Sequence, residues 1–238
     1  MVKLRNLNLG YGKKTVLSNI NLDIKHGEIV AIVGESGCGK SSLMSHLYQL
    51  DRTNIAWCPQ DANLIPALSA FHNIYAGTLN EHTFFYNLRN LIRPYRTEFK
   101  RVFKLASKLG LDNILKLSVD RLSGGQQQRV NIARAMIQKH NIFLGDEPVS
   151  ALDDFHKLNV IKTITEQFST CIFALHDLDL ALACCQRIIG IGKGKIIFDE
   201  TVSNISKQQL SELYSHYHLN MHPHLNKDDL SRVHTSEL

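Results

Sequence analysis

Residues Gly34-Glu35-Ser36-Gly37-Cys38-Gly39-Lys40-Ser41 decide how the rest of this chain is read. They fit the pattern G-x-x-x-x-G-K-[ST], which has meaning only between a strand and a helix. Both flanks supply that context. Residues 28–33 form a short apolar run after His26-Gly27 and read as a buried strand, and residues 40–49 read as a helix. Glycines let backbone amides curl inward with no Cβ in the way, and a helix N-terminus adds partial positive charge. Such a loop cradles phosphate. Lys40 should reach the β and γ phosphates, and the Ser41 hydroxyl should bind Mg²⁺.

Outward from the loop, residues 2–9 and 16–24 alternate apolar and polar side chains. Each reads as a half-buried strand, joined by a turn at Gly10-Tyr11-Gly12-Lys13. Residues 54–58 form another short strand. The order strand, loop, helix, strand implies a parallel α/β sheet. From residue 67 to 122 the spacing turns helical, with Phe99, Val102, Phe103, Ala106 and Leu109 on one face, and this stretch reads as an inserted helical lobe. The α/β pattern resumes with helices at 124–139, 151–168 and 178–185 and strands at 141–144, 171–175, 188–191 and 196–198. A last helix is expected at 207–216. On this reading residues 1–216 are one domain, and 217–238 are a polar tail.

Ile142-Phe143-Leu144-Gly145-Asp146-Glu147-Pro148 is the second informative stretch, an apolar strand ending in two acids. At a strand tip beside a phosphate loop, Asp146 is placed to hold Mg²⁺, through water, and Glu147 to polarise an attacking water as general base. Alone, the pair could equally be solvated turn residues. Third comes Leu122-Ser123-Gly124-Gly125-Gln126-Gln127-Gln128-Arg129, where two glycines open a helix. Its free amides suit a second phosphate contact, or Ser123 simply caps the helix. Composition leaves both open.

Together these segments resemble the nucleotide-binding subunit of an ABC transporter over about residues 2–200. Leu122 to Gln126 is similar to that family's LSGGQ motif. Tyr11 matches the aromatic that stacks on adenine, Gln60 the Q-loop glutamine, Ser150-Ala151-Leu152-Asp153 the D-loop, and His176 the switch histidine. The resemblance implies an α/β P-loop NTPase (RecA-like) core with a parallel sheet, a small N-terminal antiparallel β subdomain and the inserted helical lobe. It implies ATP and Mg²⁺ as cofactors, with ATP bound by Tyr11, Gly34, Glu35, Ser36, Gly37, Cys38, Gly39, Lys40, Ser41 and Ser42. Mg²⁺ falls to Ser41, Gln60 and Asp146, and catalysis to Glu147, His176 and Gln60. It implies a homodimer in which two chains pack head to tail around two ATP molecules, each site completed in trans by Ser123, Gly124, Gly125 and Gln126. Membrane-spanning permease subunits and a periplasmic solute-binding protein are the further partners, with the chain peripheral at the cytoplasmic face of the inner membrane.

Two departures stand out. Only the turn at 50–53 separates the first helix from the strand before Gln60, so the antiparallel subdomain should be trimmed, and position 42 is Ser where Thr is commoner. For cargo, the stretches 122–130, 187–191, 196–199 and 212–214, with 63–66 and 85–88, resemble the phosphonate-import branch. A rival cargo is zinc, because His216, His218, His222, His224 and His234 put five of the 12 histidines beyond residue 215.

Bulk properties agree. The 238 residues carry a formal charge of +5, with 44% hydrophobic and 21% charged residues, ordinary globular values. No basic stripe is interleaved with aromatics, so nucleic acid is not an expected partner. No apolar run reaches the ~18 residues that a membrane span needs. The start of the chain lacks a secretory core, and five cysteines without a C-x-x-C pair suggest a reducing compartment. Two rival classes remain. Soluble relatives in translation carry two cassettes and those in repair carry long insertions, whereas this chain has one cassette and a short insert. A non-hydrolysing scaffold would not need Lys40, Glu147 and His176 together.

Overall fold

The computed structural model describes residues 2–12, 14–206 and 208–209. Of the expected helix at 207–216 only 208–209, which are helical, fall among them, and the rest of it and the histidine-rich tail lie outside.

Strands β1 (Val2–Tyr11) and β2 (Lys14–Ile24) form a two-stranded antiparallel sheet. Pairing continues to Tyr11 opposite Lys14, so Gly10 and Tyr11 belong to the strand and the turn is tighter than their sequence suggested. The main sheet has six strands in the order β4-β5-β6-β3-β7-β8. These are β3 (Ile29–Val33), β4 (Ile55–Cys58), β5 (Ile142–Asp146), β6 (Thr170–Leu175), β7 (Arg187–Gly192) and β8 (Lys195–Thr201). All pairings are parallel except β7 with β8. The antiparallel part is small, in line with the short connection after the first helix. There Asp51 accepts from Thr53 Oγ1 (3.1 Å) and from Asn54 Nδ2 (2.9 Å), which closes the turn without further strand.

Strand β3 is buried from Val30 to Val33, and its alternation divides the core. Val30 and Ile32 face Leu43, Met44 and Leu47 of helix α1 (Lys40–Leu50) and the apolar side of β2. Ala31 and Val33 face the opposite layer. That layer holds α5 (Gly124–Met136), α6 (Asp154–Gln167), α7 (Leu178–Cys184) and the helical insert. Burying three side chains of α1 alone contributes roughly 5–9 kcal/mol before entropy is counted.

The insert comprises α2 (Ala70–Tyr75), a 3₁₀ segment at 76–81, α3 (Phe84–Ile92) and α4 (Arg96–Lys108). Val102, Ala106 and Leu109 are buried as their spacing predicts, but Phe103 is 44% exposed. Leu105 takes the inward position instead, and Phe103 lies along Phe99 with ring centroids 6.3 Å apart. The predicted helix at 151–168 starts at Asp154, because the Asp153 carboxylate caps it by accepting from His156 N (3.1 Å). Strand β5 runs two residues further than predicted, through Asp146.

Candidate nucleotide site

At the C-terminal ends of β3, β5 and β6, backbone conformation prepares the loops. Gly34 has φ 157°, and a Cβ there would stand 2.2 Å from the Ile191 carbonyl oxygen. Gly37 (φ 79°) and Gly39 (φ 110°) occupy conformations that other residues rarely adopt. No side chain caps α1. Lys40 is buried, and its Nζ donates to Gly34 O (2.8 Å) and Glu35 O (3.0 Å) and lies 3.5 Å from His176 Nδ1. Two carbonyls and an imidazole thus aim the ammonium along the loop. Cys38 sits beside it, its thiol pushed up by burial and partly drawn back by Lys40. Ser36 is exposed at the loop crest.

Tyr11 at the end of β1 is 69% exposed and places its hydroxyl 3.5 Å from Ser42 Oγ. An aromatic face therefore stands exposed near the start of α1, and Leu17 of β2 packs close against Gly39.

Parallel pairing brings the acids of β5 to the same rim. Asp146 is buried and paired in register with Ala174 of β6. Burial pushes its carboxyl above the usual range. The Ser41 hydroxyl draws it back, Glu147 pushes the same way as burial, and Lys40 and His176 oppose it. Its Oδ1 has no partner among the described residues. A buried oxygen without a partner, beside a serine hydroxyl, is hard-donor chemistry that fits Mg²⁺. Glu147 follows in a left-handed conformation (φ 50°), which turns its side chain out of the strand. Its Oε1 pairs with Nε2 of His176. Gln60 is exposed two residues beyond Cys58, which pairs with Gly145, so the register carries it to the same rim as Glu147.

Ser123, Gly124, Gly125 and Gln126 lie elsewhere. They begin α5, on the face of the sheet opposite α1. Ser123 does cap its helix. Its Oγ accepts from Gln126 N (3.3 Å), and its own N–H donates to Gln126 Oε1 (3.0 Å). The buried side of this helix packs on the face of the sheet opposite α1, whose first turn closes the phosphate loop.

The family comparison follows this geometry. The ABC transporter profile matches residues 17–53 and 48–150. The chain belongs to the ABC transporter family. Its similarity runs to ATP-binding subunits, and the chain is an ATPase coupled to transport. It is 36% identical to a phosphonates import ATP-binding protein of Trichodesmium erythraeum, over 90% of this chain and 95% of that one. It is 31% identical to the phosphonates import ATP-binding protein of Rhizobium johnstonii, covering 90% and 86%. Among solved structures it is similar to a dimeric bacterial ABC transporter cassette, with TM-score 0.70 and 29% identity over 85% of this chain and 99% of that one.

Three residues of this ABC subunit escaped the sequence reading. Asn131 and Arg134, one turn apart on α5, bind the backbone on either side of Gln60. Asn131 Nδ2 donates to Pro59 O (2.9 Å), and Arg134 donates to Asn63 O (3.3 Å), to Ala62 O and to Asn131 Oδ1 (2.9 Å). Gln128, near the start of the same helix, reaches the backbone of Glu147. A polar residue on the inward face of a predicted helix was the available signal, but its partner could not be named without the fold. Among the described residues no helix is long and apolar enough to cross a membrane.

Proposed function

We propose that this subunit hydrolyses ATP as one half of a head-to-tail homodimer and powers uptake of a phosphonate, or a related phosphorus oxyanion, through membrane permease subunits. The observation that carries the reading is the meeting of Lys40, Asp146, Glu147 and His176 at one rim, with the exposed Ser123 tip opening a helix that packs on the other face of the sheet from α1. The exposed Ser123 and Gly124 leave that tip open to another copy's phosphate loop, and the similar cassette was solved as a dimer.

In this reading Lys40 and the amides of residues 34–42 hold the phosphates, and Tyr11 stacks on adenine. Ser41, Gln60 and Asp146 would hold Mg²⁺, which would supply positive charge to offset that of the phosphates. Glu147 takes a proton from the attacking water, and His176 holds that carboxylate in place while facing the γ-phosphate. Ser123, Gly124, Gly125 and Gln126 of the second copy close the site. Loss of the γ-phosphate removes the bridge and lets the copies part, a ligand-driven two-state switch.

Cargo and direction rest on the names of the relatives, which are phosphonate importers. With import as the direction, membrane permeases and a periplasmic solute-binding protein are the expected partners, and the cytoplasmic face of the inner membrane is the expected location. Residues 1–216 act as one ATPase domain, and 217–238 as a tail outside it. Reconstitution with permease and binding protein in liposomes tests all of this. ATP-dependent uptake of a phosphonate, abolished by Glu147→Gln, is expected. Uptake of zinc in its place, or ATP turnover with no permease partner at all, would overturn it.

A further inference from the structure

We infer that Gln128 is a positioning residue that ties the Ser123-Gly124-Gly125 tip to the orientation of Glu147. This rests on the reading of Glu147 as general base.

The half-buried Gln128 uses both ends of its amide. Nε2 donates to Glu147 O (3.1 Å) and lies 3.0 Å from Ser150 Oγ, while Oε1 accepts from Ala151 N (2.8 Å). Ser150 adds two donors to the same carbonyl, its Oγ at 3.2 Å and its N at 3.4 Å. On the other side, Glu147 N donates to Ala174 O (3.0 Å), on the strand that leads to His176. Glu147 therefore has both backbone groups tied. The ties matter because its φ of 50° is costly for a residue with a Cβ and persists only where surroundings dictate it. If the peptide after Glu147 rotated, the side chain would swing away from His176.

The same glutamine stands one helical turn from Gly124. Gly125 sits close against the segment that Gln128 holds: a Cβ there would be 3.2 Å from Ala151 O. A displacement of the tip is thus passed through α5 to the carbonyl of Glu147 by one hydrogen-bonded side chain, with no flexible loop between. Lys40 and Tyr11 take no part in this linkage. Gln128 should therefore govern turnover and leave ATP binding alone.

Single-turnover ATP hydrolysis and nucleotide affinity should be measured for Gln128→Ala and Gln128→Glu, each also in a Glu147→Gln background, with thermal melts alongside. The Glu variant keeps an acceptor for Ala151 N and for the Ser150 hydroxyl, but loses the donor to Glu147 O, so it guards against simple misfolding. We expect both single variants to hydrolyse at least ~10-fold slower, with ATP affinity within ~2-fold of wild type and no further slowing on top of Glu147→Gln. Wild-type turnover in Gln128→Glu, or an equal fold-loss with and without Glu147, overturns the proposal. Wild-type turnover in Glu147→Gln alone would instead overturn the base assignment.

Discussion

Arg134→Met tests how the segment after Gln60 is held. The guanidinium is half-buried and donates to Ala62 O, Asn63 O and Asn131 Oδ1. Burial lowers its pKa, a sign that its surroundings tax the cation and its hydrogen bonds must offset that tax. Three bonds from a charged donor are worth about 1.5–3 kcal/mol each, some 5–9 gross. Two corrections shrink this. Methionine keeps the aliphatic packing and removes the desolvation cost, and Ala62 and Asn63 are exposed enough for water to replace the lost donor. The net loss should be about 2 kcal/mol, a fall in Tm of about 4–8 °C for a domain of this size. Urea denaturation with an unchanged m-value measures it. Amide exchange should rise at residues 62–64 and stay unchanged in β3 and β6. Arg134→Lys should fall between, since a compact ammonium keeps the charge but lacks the planar fork whose two nitrogens reach separate acceptors. A loss under about 0.5 kcal/mol, or faster exchange spread over the whole sheet, would refute the clamp.

Further outcomes are expected. Glu147→Gln should lower ATP turnover by about 10²–10⁴ while retaining nucleotide, read by hydrolysis and binding assays in parallel. Gly34→Ala would drive a Cβ to 2.2 Å from the Ile191 carbonyl, so both melting temperature and ATP affinity should drop. In the helical insert, Arg101 grips Glu81 through two 2.9 Å bonds, with Lys139 also at 2.9 Å. Hydrogen bonding from Arg101 is the main cause that holds the Glu81 carboxyl down at about 2, against an ordinary 4.5. Its stabilisation is therefore complete above pH 4.5 and is lost as pH falls towards 2. Glu81→Gln should flatten the acid limb of the stability profile in that window, as followed by urea melts across pH.

The phosphate loop and the strand-end acids were legible in sequence because their chemistry is local: glycines, a lysine and two carboxylates must follow one another closely. The parallel sheet was legible for a related reason, since short apolar runs between helices allow little else. Strand order was not, because neighbours such as β3 and β6 are far apart in the chain and nothing in either names its partner. The clamps by Gln128, Asn131 and Arg134 were hidden likewise, their acceptors being backbone carbonyls that carry no side-chain signature. Phe103 misled because helical spacing defines a face but not how wide the covering neighbour is. The capping box at Ser123 was anticipated as one of two options, and geometry shows that capping occurs.

The placement of α5, with its Ser123 tip, and α1, with Lys40, on opposite faces of the sheet has a genetic corollary. If every active centre borrows its second half from a neighbour, a chain with a ruined lysine and a chain with a ruined tip are each inert when pure. Mixed together, they can pair so that both injuries fall in the same centre, and the other centre inherits two sound halves. Two dead alleles would then restore hydrolysis to each other, which no arrangement of self-sufficient subunits allows.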